Sequence, residues 1–132
     1  SILSGGNVED ITPIVSLPKL VALKLWYFPK ISNYSPLIKL STLENLEIEG
    51  DGNSPRFTTI DSLNFLKEMP QLKRLTLATL KISDKDLSPI LSLTNLETLN
   101  LDLQKSYESQ YHIFKQLPQL KYGLIQQFLE ER

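Results

Sequence analysis

The chain has 132 residues, with 14 basic and 15 acidic side chains and a net charge of −1. That length suits a single domain and leaves no room for a second core. Near-neutrality gives no basic footprint for nucleic acid, the lack of cysteine excludes disulfides and thiolate chemistry, and apolar runs of only a few residues exclude a membrane-spanning helix.

Taken in order, Ser1-Ile2-Leu3 reads as the tail of a strand, with Ile2 aligned to Leu25 at a step of 23 residues. On that alignment the chain begins in mid-repeat, as a fragment would, and an unpaired apolar edge there invites self-association. Residues 11–17 suit a short turn or helix with Pro13 in its first turn, where a missing N–H costs little. The alternation Leu23-Lys-Leu25 predicts a half-buried strand running into Trp26-Tyr27-Phe28, which Pro29 stops. Ser35-Pro36 opens the next turn segment and leads to the strand Leu46-Glu-Ile48. Gly50-Asp51-Gly52-Asn53-Ser54-Pro55-Arg56 has the composition of a surface loop.

Asp61 or Ser62 is expected to N-cap a helix holding Leu63, Phe65, Leu66 and Met69, before the strand Leu75-Thr-Leu77. Asp84 or Asp86 would cap a further helix through Ile90 and Leu91, before the strand Leu99-Asn-Leu101. Residues 111–117 form the last such segment. Gly123 then stands where a strand leucine is due, so the regular pattern fails there. Leu124, Ile125, Phe128 and Leu129 recur at helical spacing, so 124–132 is expected to be a C-terminal capping helix and a natural end.

One phrase organises all of this. Leu93-Thr-Asn-Leu96-Glu-Thr-Leu99-Asn-Leu101 recurs as Leu17-Pro-Lys-Leu20-Val-Ala-Leu23-Lys-Leu25, as Leu40-Ser-Thr-Leu43-Glu-Asn-Leu46-Glu-Ile48 and as Met69-Pro-Gln-Leu72-Lys-Arg-Leu75-Thr-Leu77. Leu117-Pro-Gln-Leu120 begins a degraded fifth copy. From Leu20 through Leu43, Leu72 and Leu96 to Leu120 the steps are 23, 29, 24 and 24 residues. A second phrase precedes each strand: Val8-Glu-Asp-Ile11-Thr-Pro-Ile14, Ile31-Ser-Asn-Tyr34-Ser-Pro-Leu37, Ile60-Asp-Ser-Leu63-Asn-Phe-Leu66, and a longer Ile82-Ser-Asp-Lys-Asp-Leu87-Ser-Pro-Ile90.

Together the phrases resemble leucine-rich repeats of the internalin type. The resemblance implies an α/β fold: a right-handed leucine-rich repeat solenoid of about five repeats spanning residues 1–132. Its parallel β-sheet lies on the concave side, with short helices or 3₁₀ turns on the convex side. The family places an asparagine three residues after the last strand leucine, to bond the backbone of neighbouring coils. Here that position holds Gly5, Phe28, Asp51, Leu80 and Gln104. Without the asparagine ladder, irregular corners and imperfect curvature are expected.

The sequence carries little chemistry. His112 is the only histidine, and on the outer side of a turn segment it lacks the partnered nucleophile a catalytic base needs. Asp51-Gly-Asn53 imitates the start of a calcium loop, yet the twelfth position is Ser62 rather than glutamate. Asp84-Lys-Asp86 suits helix capping better than a metal pair. Asn33-Tyr34-Ser35 is a glycosylation sequon by composition, but Tyr34 is expected in the core and no glycan is assumed. Gly5-Gly6 lacks the spacing of a phosphate cradle. No catalytic residue, cofactor or metal is therefore expected.

What remains is the strand face. With the leucines inward, the outward residues are Ala22, Lys24 and Trp26; Asn45, Glu47 and Glu49; Arg74, Thr76 and Ala78; and Thr98, Asn100 and Asp102. Trp26 is either an exposed anchor or a ring folded over the corner onto Tyr27 or Phe28. As an anchor it would sit beside Glu47 and Glu49, which would favour a basic group on a partner. The resemblance implies non-enzymatic recognition of a protein or peptide through this face, at Lys24, Trp26, Asn45, Glu47, Glu49, Arg74, Thr76, Asn100 and Asp102. The alternatives are a regulatory or targeting domain of a larger signalling protein or enzyme, or a structural spacer. No signal peptide is visible, and lack of cysteine fits the cytoplasm; secreted repeat proteins lack it too, so the compartment stays open.

Overall fold

The computed structural model describes residues 2–17, 19–52 and 58–131. Most of the expected loop after Gly52 therefore lies outside the described residues, as do Ser1 and Arg132.

Period-two alternation builds the strands. β1 (Ile2–Ser4), β2 (Ala22–Trp26), β3 (Asn45–Glu49), β5 (Arg74–Ala78) and β7 (Thr98–Asp102) form one parallel sheet in that order. β4 (Thr58–Ile60) and β6 (Leu80–Ile82) form a second, two-stranded parallel sheet. Leu23, Leu46, Leu75 and Leu99 stack in register, as do Leu25, Ile48, Leu77 and Leu101. Leu46, Leu75 and Leu99 are 0% exposed. Each coil thus closes its apolar face only against its neighbours, the packing mode of a solenoid.

The N-terminal register differs from the expected one. Leu3, not Ile2, pairs with Leu25, and Ile2 pairs with Lys24 and is 75% exposed. A one-residue slip turns every side chain to the other face, so Leu3 packs against the core and Ile2 joins the outer surface.

Behind the sheet run five 3₁₀ segments, Thr12–Ser16, Ser35–Lys39, Asn64–Glu68, Ser88–Ser92 and Lys105–Gln116. Where helices were expected after residues 62 and 86, only five residues are wound, and the tighter 3₁₀ turn is what so short a span accommodates. The last segment begins at Lys105, earlier than expected. The capping positions are also different: Ile11, Tyr34, Leu63 and Leu87 occupy the N-caps and are buried. The capping oxygen comes from one residue earlier. Asp10 accepts from the Thr12 N–H at 2.8 Å, Asn33 from Ser35 at 3.0 Å, Ser62 from Asn64 at 3.0 Å and Asp86 from Ser88 at 2.9 Å. An apolar plug and an oxygen cap thus share adjacent positions in four successive coils.

The corners are more alike than expected. Tyr27 and Thr79 both adopt left-handed backbone, with φ of 57° and 51°. The ladder continues one residue past the strands, through Tyr27 N–H to Glu49 O at 2.8 Å, Gly50 to Ala78 at 2.9 Å and Thr79 to Asp102 at 2.8 Å. A polar ladder does exist, at the other corner. Thr42 Oγ1 donates to Leu20 O at 2.7 Å, Gln71 Nε2 to Leu40 O at 3.2 Å and Asn95 Nδ2 to Pro70 O at 3.0 Å, each reaching back one coil. Backbone groups at both corners are thus paired from one coil to the next, by main-chain bonds after the strands and by side-chain donors before them.

At the far end Tyr122 bridges Thr98, and Gly123 turns the chain with φ of 103°. A side chain there would press on Leu99 O and Asn100 Oδ1. Helix α1 (Leu124–Glu130) follows, with Ile125 buried and Phe128 edge-on to Tyr111 at 5.2 Å. Leu124 is not on its packed side; it is 50% exposed.

Candidate functional site

The outward residues fall into three rows across the strands. The first is Ala22, Asn45, Arg74 and Thr98; the second Lys24, Glu47, Thr76 and Asn100; the third Trp26, Glu49, Ala78 and Asp102. All nine residues expected on this face are brought together on it, half-buried or exposed. Ala78, beside them, is nearly closed off. With strands about 4.8 Å apart, the four columns span roughly 15 Å.

Several of these side chains already have work within the fold. Lys24 Nζ lies 2.6 Å from Glu49 Oε2 and 3.9 Å from Glu47 Oε2. The Glu49 hydrogen bond and charge, with Glu47 adding, raise the Lys24 pKa above its ordinary value. Lys24 thus occupies Glu49 and lies at the edge of contact with Glu47, so the trio keeps one net negative charge on this face. Asn100 is engaged too: its Oδ1 accepts the Leu124 N–H at 2.8 Å, and its Nδ2 donates to Thr76 Oγ1 at 3.4 Å. Arg74 makes no ion pair among the described residues and is exposed.

Trp26 is both exposed and packed on its neighbour. Its ring centroid is 6.0 Å from that of Tyr27, and the residue is still 41% exposed. The left-handed Tyr27 turns the chain so that the two rings tilt together over the corner.

Four exposed apolar residues border or lie beside the rows: Ile2, Val21, Tyr122 and Leu124, with Tyr122 62% exposed. Tyr122 extends the first row beyond Thr98. Its signal was present in the sequence, two residues past Leu120, as Thr98 is two past Leu96; the degraded fifth phrase hid it.

The remaining candidates stand apart from the face. His112 is exposed, and its Nδ1 lies 2.9 Å from Ser109 O, an acceptor that requires the proton on that nitrogen. Asp84 and Asp86 turn their carboxylates onto the N–H groups of Asp86 and Ser88. No group of three or more His, Cys, Asp or Glu side chains among the described residues is arranged to hold a metal, and no described helix is long and apolar enough to cross a membrane.

In-register leucines, a parallel sheet and a 3₁₀ segment in every coil build a solenoid fold of the leucine-rich-repeat type. By sequence, the chain matches no protein-family model and no curated protein. Among solved structures it is similar to internalin C2 of Listeria monocytogenes, at 22% identity and a TM-score of 0.48, over 86% of this chain and 54% of that one. The chain therefore spans about half the length of that protein.

Proposed function

We propose that this chain is a non-enzymatic module that binds a protein or peptide through the outward face of its sheet. The carrying observation is Trp26, 41% exposed at the end of the third row and in register with Glu49. Tryptophan is among the residues most enriched at interface hot spots. The Lys24–Glu49 pair holds polar groups beside it and leaves the indole as the apolar anchor. His112, bonded to its own segment, offers no rival chemistry.

A displayed peptide library selected on the wild-type chain provides the ligand for the test. The selected peptides should bind Trp26→Ala roughly 30-fold more weakly or worse, as hot-spot truncation does, with circular dichroism unchanged. Lys115→Ala, on the opposite side, should leave their affinity intact. Loss of binding in Lys115→Ala with none in Trp26→Ala would move the interface off the sheet.

A further inference from the structure

We propose that the first row is a groove for an extended, polyproline-type peptide carrying an acidic residue midway between two apolar ones; this rests on the sheet-face reading above. Val21, Ala22, Glu44, Asn45, Lys73, Arg74 and Glu97 enclose a depression of about 430 Å³ along the starts of β2, β3, β5 and β7. At one end stand Val21, 54% exposed, and Ala22; at the other, past Thr98, stands Tyr122. Between them the row carries one charge, Arg74.

Charge complementarity sets the centre of the ligand. Of the charged groups lining the depression, Lys73 is held by Glu44 at 3.8 Å, while Arg74 and Glu97 make no ion pair among the described residues; of these two only Arg74 stands in the row itself. A guanidinium in that state suits a bidentate carboxylate.

Spacing sets the backbone. Ala22 to Arg74 is two strand steps, about 9.6 Å, and Arg74 to Tyr122 is two more. A polyproline II chain repeats every three residues, about 9.3 Å, so positions i, i+3 and i+6 face the apolar end, Arg74 and Tyr122 together. A β-strand would turn i+3 away. An α-helix is about 10–12 Å across; the Glu44 rim and the second row lie about 10 Å apart along the strand before side chains narrow the gap.

Two labelled peptides test this by fluorescence anisotropy, Leu-Pro-Pro-Glu-Pro-Pro-Leu and the same peptide with a central lysine. The wild-type chain should bind the glutamate peptide at least roughly tenfold more tightly. Arg74→Glu should reverse that order, and Tyr122→Ala should weaken the glutamate peptide several-fold while leaving circular dichroism unchanged. Failure of the glutamate peptide to bind, or a preference that ignores residue 74, overturns the groove. Library-selected peptides that still require Trp26 would then leave the sheet-face reading standing; if they do not, both fall.

Discussion

Lys24 on β2 and Glu49 on β3 join across one strand step, Nζ to Oε2 at 2.6 Å, immediately beside Trp26. The pair is partly exposed, so Lys24→Met should cost about 1 kcal/mol or less. Because folding raises the Lys24 pKa above 10.5, its contribution is complete below that pH and fades as pH rises through the raised value. Urea unfolding of wild type and Lys24→Met should therefore differ at pH 8 and draw together as pH rises beyond 10.5 through the raised value. A gap that persists unchanged into strong alkali would mean the pair does not stabilise the fold.

Leu75 sits between Leu46 and Leu99 in the inner stack, with all three fully buried. Leu75→Ala should cost about 2–5 kcal/mol in denaturant titration. Wild-type stability in that variant would refute the register.

Tyr107 and Tyr34 should respond oppositely to the loss of one oxygen. Tyr107 OH accepts the Ile82 N–H at 3.0 Å and donates to Ile82 O at 3.2 Å. Tyr107→Phe strands both groups and should cost about 1–3 kcal/mol. Tyr34 OH is buried with no hydrogen-bond partner among the described residues, and burial pushes its pKa well above the usual phenol value. Tyr34→Phe should be neutral or stabilising. Equal losses in both melting curves would mean Tyr34 OH is bonded in solution.

Gly50 leaves no room for a methyl group, because a Cβ there would run into the backbone carbonyl oxygen of Thr79. Backbone cannot rotate aside, so Gly50→Ala should destabilise by about 1–3 kcal/mol or more. At Gly52 the same atom would meet only the Thr79 methyl, at 3.6 Å. Gly52→Ala should stay within about 0.5 kcal/mol of wild type. Thermal melts of the two variants that coincide would show that the corner yields.

Leucine spacing made the sheet legible, because a buried strand position tolerates so few alternatives. The same spacing placed Lys24, Trp26, Arg74 and their neighbours on one face. The register at Ile2 is not legible in the sequence, because a three-residue strand offers no alternation to choose between two registers. The apolar N-caps Ile11, Tyr34, Leu63 and Leu87 were also invisible: capping rules look for the oxygen at the cap itself, and here it stands one residue earlier. The Thr42, Gln71 and Asn95 ladder was hidden by its mixed residue types, which share only reach and a donor. That Lys24 would claim Glu49 instead of leaving it to a partner is a matter of side-chain geometry that periodicity does not carry.

The central claim is that ligands engage the sheet and not its back. Its most direct measurement is amide chemical-shift mapping of the labelled chain titrated with a library-selected peptide. The account predicts changes concentrated at Ala22–Trp26, Asn45–Glu49, Arg74–Ala78 and Thr98–Asp102, strongest around Trp26, with Ser35–Lys39, Asn64–Glu68 and Ser88–Ser92 silent. Changes that follow those 3₁₀ segments and leave the strands unmoved would contradict it.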